Sequence, residues 1–170
     1  MGSEMCIRDS ARSGQVYQFS VGVKLEILFP NRSTVDFESN TASIIAKLQY
    51  GDVGFMFTGD SPKQIENYLV HTYGSGLESE VLKLGHHGSD TSTSEPFLKA
   101  TGPEIAVVSA GKNNRYGHPN KAVLARLETE KIKVIGTPAF GDISFYSDGA
   151  GLWFETENPQ PTQDYQKNLK

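Results

Sequence analysis

At 170 residues, 37% apolar and 21% charged, the chain is long enough for one domain with a real core and too apolar to be wholly disordered. Its formal net charge of −4 excludes a surface that grips nucleic acid by phosphate neutralisation alone, although a bound divalent ion would reverse the field where it sits. No apolar run reaches the roughly 20 residues of a membrane helix, no signal-peptide pattern opens the chain, and a lone Cys6 allows no internal disulfide.

The string "MCIRDS", residues 5 to 10, resembles a translated sequencing adapter. Residues 1–14 are therefore expected to be a non-native or disordered head, outside the folded unit of 15–157. "VYQFSVGVKLEILFP" (16–30) alternates at Val21, Val23, Leu25 and Ile27 and predicts a strand ending at Pro30. The polar stretch after it is a loop. "SIIAKLQY" and "VGFMF" flank Gly51-Asp52 and predict a hairpin, the second arm apolar on both faces as a buried strand would be.

Residues 61–74 carry Pro62 in a first turn, Ile65, Tyr68 and Leu69 on one face, and Gly74 as a stop, which predicts a helix. "EVLKLG" (80–85) predicts a short strand that delivers His86 and His87. "SEPFLKAT" (94–101) predicts a short helix capped by Ser94, and "EIAVVSAG" another buried strand. A helix opening at Pro119 and three closing strands follow, the last two joined around Asp148-Gly149. From 158 to 170 the polar tail predicts disorder. Alternating strands and helices predict an α/β layered fold.

Four polar residues stand at predicted strand ends: Asp60, His86, His87 and His118. Ligands gather at the ends of buried strands because the sheet gives rigid support beside a crevice. One carboxylate with imidazoles suits Zn2+ or Mn2+, and such an ion supplies hydroxide at neutral pH. Each residue also has a plainer role. Asp60 is placed to cap the helix after it, and His118 the helix opened by Pro119. A histidine beside glycine is commonly a turn residue. Ser89, Ser92 and Ser94 read as caps and turns, with phosphate contact as the alternative, and His71 as solvated.

"NTASIIAKLQYGDVGFMFTGD", "EVLKLGHHGSDTSTSEPFLKA" and "PEIAVVSAGKNNRYGHPNKAVLARL", in that order, resemble the C-terminal metallo-β-lactamase-fold domain of the ComEC family of DNA-uptake competence proteins, or a related stand-alone hydrolase. The resemblance covers about residues 21 to 150 and implies an αββα sandwich with a metal site at its edge. It implies Asp60 as a metal carboxylate, one metal ligand and one neighbour within the His86–His87 pair, and His118 as phosphate binder or proton donor. Side-chain type does not decide between the two histidines, and the reading favoured is His86 as ligand with His87 as a catalytic group that stabilises the transition state. Two ions, Zn2+ or Mn2+, DNA or another phosphodiester as substrate, a membrane-channel domain in the parent protein and an extracytoplasmic site are implied with it.

That family's principal metal cluster, HxHxDH or HxDxDH, would lie earlier, yet residues 1 to 59 contain no histidine. The expectation is the C-terminal half of a sandwich whose N-terminal half is incomplete. Such a piece would be short of ligands, inactive alone, and open on one face of its sheet. The competing expectations are a phosphoesterase acting on something other than DNA and a non-catalytic α/β binding module.

Overall fold

A computed structural model of the chain describes residues 11–158. The "MCIRDS" string and residues 159–170, with the expectations for head and tail that rest on them, lie outside the described residues. The described residues form nine strands and four α-helices. Strands β1 (Val16–Ser20), β2 (Val23–Phe29), β3 (Ile45–Tyr50), β4 (Val53–Phe57), β5 (Val81–Lys83), β6 (Ile105–Val108) and β7 (Lys133–Gly136) form one sheet in that order. The β1 to β4 pairings are antiparallel, and those from β4 to β7 are parallel. The result is a mixed α/β fold.

Helices α1 (Lys63–Tyr73), α2 (Glu95–Thr101) and α3 (Lys121–Thr129) are the crossovers between the parallel strands. Because the strands advance in one direction, right-handed crossovers place all three helices on one face. There Leu69, Phe97, Leu98, Val123 and Leu127 close over Met56, Leu82, Leu84, Ala106 and Val108 in a single core. Burial of this apolar layer stabilises the fold at about 25 cal/mol per Å2 of area removed from water. The opposite face is covered in part by a hairpin, β8 (Ile143–Ser147) with β9 (Leu152–Thr156). Phe145 meets Phe55 edge to face at 5.6 Å, and Lys133 Nζ sits 4.8 Å from the Phe154 ring centroid.

Several expectations need correction. The run 16–30 is two strands, not one: the chain turns at Val21-Gly22, where Gly22 takes φ of +80°. Residues 11–14, expected in a loose head, are tied to β2, with Ser13 N–H donating to Pro30 O and Gly14 N–H to Ile27 O. Asn158, first residue of the expected tail, donates its N–H to Phe140 O. Asp60 does not cap α1, whose N-cap is Pro62 without a side-chain bond. His118 does not cap α3; Asn120 does, accepting from Ala122 N–H at 2.9 Å. Ser94 occupies the N-cap position of α2, but its hydroxyl makes no cap bond. A four-residue helix, α4 (Thr137–Phe140), was not anticipated.

Candidate functional site

The site is assembled from the loops that leave β4, β5 and β6, at one end of the parallel strands. After β4 the chain passes through buried Thr58, whose hydroxyl donates to Lys83 O at 3.0 Å and so locks the exits of β4 and β5 together. Asp60 follows, its N–H donating to Ser43 Oγ at 3.0 Å.

Beyond β5 the chain makes a 3-10 turn, Gly85–Gly88, in which His86 (φ 48°) and His87 (φ 58°) are both left-handed. Two successive non-glycine residues there are costly, on the order of 1–3 kcal/mol each, and persist only where neighbours over-determine them. The neighbours are visible. His86 N–H donates to Gly59 O, and Gly88 O accepts from Asn120 N–H at 2.8 Å. A Cβ at Gly88 would lie 2.8 Å from Pro119 Cβ, so only glycine admits this approach. Below the turn, Ser92 Oγ donates to Ser61 O at 2.6 Å. The buried Glu66 carboxylate accepts from Thr93 N–H at 2.6 Å and Ser94 N–H at 2.8 Å. Glu66 thus does for the N-terminus of α2 what Ser94 was expected to do.

The turn aims the two imidazoles in different directions. His87 Nδ1 lies 2.7 Å from Ser109 O at the exit of β6. A carbonyl only accepts, so Nδ1 carries the proton and Nε2 presents its lone pair. That Nε2 stands 3.9 Å from Asp60 Oδ1. Both groups are more than a third exposed, so their mutual attraction is screened. His86 instead places Nδ1 3.2 Å from Thr91 Oγ1 and its ring 6.0 Å from that of His118. All four expected residues therefore meet in one place, with Asp60 facing His87 and His86 facing His118. The partner of Asp60 is the other member of the histidine pair from the one expected.

His118 is fixed by Asn114. The Asn114 Oδ1 accepts from His118 N–H at 2.9 Å and its Nδ2 donates to His118 O at 2.7 Å. Burial, then the neighbouring His86 and His87, hold the His118 imidazole below the ordinary histidine range. Its Nδ1 is enclosed and makes no hydrogen bond among the described residues. Between His87 and His118 opens a cavity of about 360 Å3, walled also by Ser109, Gly111, Asn114 and Tyr116.

Reading the sequence alone missed Lys83, Ser109 and Asn114. Lys83 ends β5 on the partly open face, where burial lowers its pKa and the Asp60 carboxylate opposes that shift. A lysine inside the apolar run "EVLKLG" was the available signal. Ser109 and Asn114 act through backbone contacts that no residue pattern announces. Of the serines, Ser89 Oγ accepts from Thr91 N–H, a turn role, and His71 is exposed on α1.

Among the described residues, no group of three or more His, Cys, Asp or Glu side chains is placed to share one metal ion. Asp60 Oδ1 and His87 Nε2 are suitable donors in type and tautomer, but they are two where a tetrahedral site takes four. Among the described residues no helix is long and apolar enough to cross a membrane.

No family model matches the chain. It is 42% identical over 125 residues to Competence protein ComA of Neisseria gonorrhoeae, covering 73% of this chain and 18% of that protein. ComE operon protein 3 of Bacillus subtilis is 36% identical over 126 residues, covering 74% of this chain and 16% of its own length. Recombination protein 2 of Haemophilus influenzae is 33% identical over 129 residues, with 75% and 16% covered. The chain is homologous to one stretch of each of these proteins. It spans less than a fifth of the length of each. A protein from Parabacteroides distasonis, named in its solved structure as a metal-dependent hydrolase, aligns with a TM-score of 0.48 and 14% identity over 75% of this chain and 56% of that one.

Proposed function

We propose that this domain is the carboxyl-terminal portion of a metallo-β-lactamase-type αββα hydrolase that cleaves phosphodiesters, DNA among them, within a competence protein. The observation that carries the reading is the Asp60–His87 pair, whose oxygen and nitrogen face one another at 3.9 Å while Ser109 fixes the imidazole tautomer. An imidazole held by a backbone carbonyl through Nδ1 is the arrangement that orients a metal ligand.

Asp60 and His87 would hold Zn2+ or Mn2+ together with ligands from another part of the longer protein, two ions in the complete site. A bound ion of this kind supplies hydroxide at neutral pH and stabilises charge on a phosphoryl oxygen. His87 thereby takes the ligand role first given to His86. His86 moves to the partner role beside His118, whose imidazole is placed to donate a proton or a hydrogen bond to a phosphate. The proposed setting is extracytoplasmic, beside a membrane-channel domain and the remainder of the sandwich.

The test joins the chain to the segment that precedes the matched stretch in the gonococcal protein. That protein is expected to hydrolyse bis(p-nitrophenyl) phosphate with Zn2+ or Mn2+ and to lose more than about 100-fold on Asp60→Ala or His87→Ala, since even outer partners of metal ligands cost 10- to 100-fold. The 170-residue chain alone is expected to show no turnover. Turnover indifferent to both substitutions sinks the hydrolase reading. The lack of a third donor among the described residues favours one rival, a non-catalytic binding module, which predicts no stoichiometric metal in either protein. A phosphoesterase on another substrate predicts turnover of the test ester but not of DNA.

A further inference from the structure

The loop between β6 and α3 carries more recognition chemistry than the hydrolase reading uses. Tyr116, at 67% exposure, lies nearly parallel to the His118 ring, 16° apart with centroids at 5.9 Å. The Arg115 guanidinium sits 4.9 Å from the Tyr116 ring centroid and donates to its hydroxyl at 2.6 Å. Lys112, exposed, lies on the same loop between two residues that line the cavity. This large exposed ring, braced by a cation and stacked on an imidazole, lies outside the hydrophobic core. It borders the cavity that His87 also lines.

From this we infer that the cavity is a nucleotide subsite that takes one or two units of a single strand. The base lies against Tyr116, and the phosphate lies toward His87, with Lys112 and Arg115 as counter-charges. The choice of a nucleotide rests on the phosphodiester reading above. The limit on length comes from charge and size. The chain as a whole is acidic at −4, so general electrostatic attraction adds little along a longer strand. A cavity of about 360 Å3 is near the lower end of small-molecule sites. Aromatic stacking tolerates any base, as an enzyme degrading a strand of arbitrary sequence requires.

The test measures binding of oligodeoxythymidylates of one, two, three and ten nucleotides to the 170-residue chain by calorimetry and by perturbation of the Tyr116 ring resonances, with EDTA throughout. Affinity per site is expected to plateau by the third nucleotide. Its logarithmic salt slope is expected near −1.4, about 0.7 for each of two phosphates. Tyr116→Ala is expected to weaken binding by about 5- to 150-fold, while Tyr116→Phe binds normally and an abasic trinucleotide backbone is indifferent to either change. Affinity that climbs through ten nucleotides, a neutral Tyr116→Ala, or no binding at millimolar ligand overturns the inference. Since EDTA removes metal from every arm, Tyr116-dependent binding can survive the failure of the hydrolase reading, and the converse also holds.

Discussion

On one face of the seven-stranded sheet, Met56, Leu82, Leu84, Ala106 and Val108 lie beneath three helices and none is more than 1% exposed. On the other face Phe57 is 39% exposed and Tyr17 45%, although cross-strand pairing sets them in the rows of Ala46 and of Leu48 and Phe55. The β8–β9 hairpin packs on Phe55 of that second face, and Ile27, Ala46 and Ile135 in the Phe57 row are buried, so the face is open only in part. The closed face makes the domain stable, and the partly open face leaves apolar surface that a second layer would bury. The site stands where the two regimes meet. Its loops are anchored in the closed face through Thr58, Ser92 and Glu66, while Lys83 points to the open one.

If the closed face carries the stability, the largest effect belongs to a core truncation there. Leu82→Ala is expected to cost about 2–5 kcal/mol in urea unfolding, the range for a fully buried leucine. A cost under 1 kcal/mol would mean that the helix layer is loosely packed and the contrast between faces is false. Next is Glu66→Ala, which strips the acceptor from the buried N–H groups of Thr93 and Ser94. At about 1–3 kcal/mol for each orphaned donor, and with a desolvated carboxylate relieved, a loss of about 2–4 kcal/mol is expected.

Glu66 also makes a prediction about pH. Burial raises its carboxyl above the usual glutamate range, and the two backbone donors only partly oppose this. Its folded pKa therefore lies above its unfolded value of 4.5. Between the two the folded state holds the extra proton, so this group's contribution falls as pH rises from 4.5 through the folded pKa. In Glu66→Gln that component should vanish, read as the difference in pH dependence between variant and parent. Parent minus variant stability is thus expected to fall as pH rises above 4.5, and a difference that instead rises with pH would refute the desolvated carboxylate.

Much of this arrangement is legible in the sequence, and the reasons are physical. "VGFMF" and "IAVV" read as buried strands because parallel strands covered on both sides are apolar throughout. The position of Asp60, His86, His87 and His118 at strand ends was enough to gather them into one site. The turn at Val21-Gly22 was lost because the alternation runs through it, and α4 because four residues show no helical period. Which histidine faces Asp60 depends on two consecutive left-handed residues held by Gly59, Asn120 and Pro119. Those contacts are tertiary, so residue type could not decide it. Glu66 looked like an ordinary first-turn acid of α1, and only the packing of α1 on the 89–94 loop makes it a buried anchor.

A smaller effect tests how the β6–α3 loop is held. Asn120→Ala removes the side-chain acceptor for Ala122 N–H at the start of α3 and is expected to cost about 1 kcal/mol. Asn120 also binds Gly88 O through its own N–H, which the substitution leaves in place. The histidine turn should therefore keep its geometry, with the His87 and His118 ring resonances unmoved. A shift in those resonances would show that the cap, and not the backbone bond, holds the turn.

The smallest expected effect tests the open face most directly. Phe57 is paired in register with Lys83 and Ala46, and it stands 39% exposed on the same face as Phe55. Phe57 is among the exposed large apolar residues, so Phe57→Ser is expected to behave as a surface substitution, within about 0.5 kcal/mol of the parent. It should also reduce self-association at high concentration, because exposed apolar surface on a sheet face promotes contact between copies. In the protein extended by the preceding segment, the same substitution should cost several times more, since the added layer would bury the ring. Equal small costs in both proteins would mean that nothing packs on this face. A cost in the 170-residue chain to match Leu82→Ala would mean that the face is already closed.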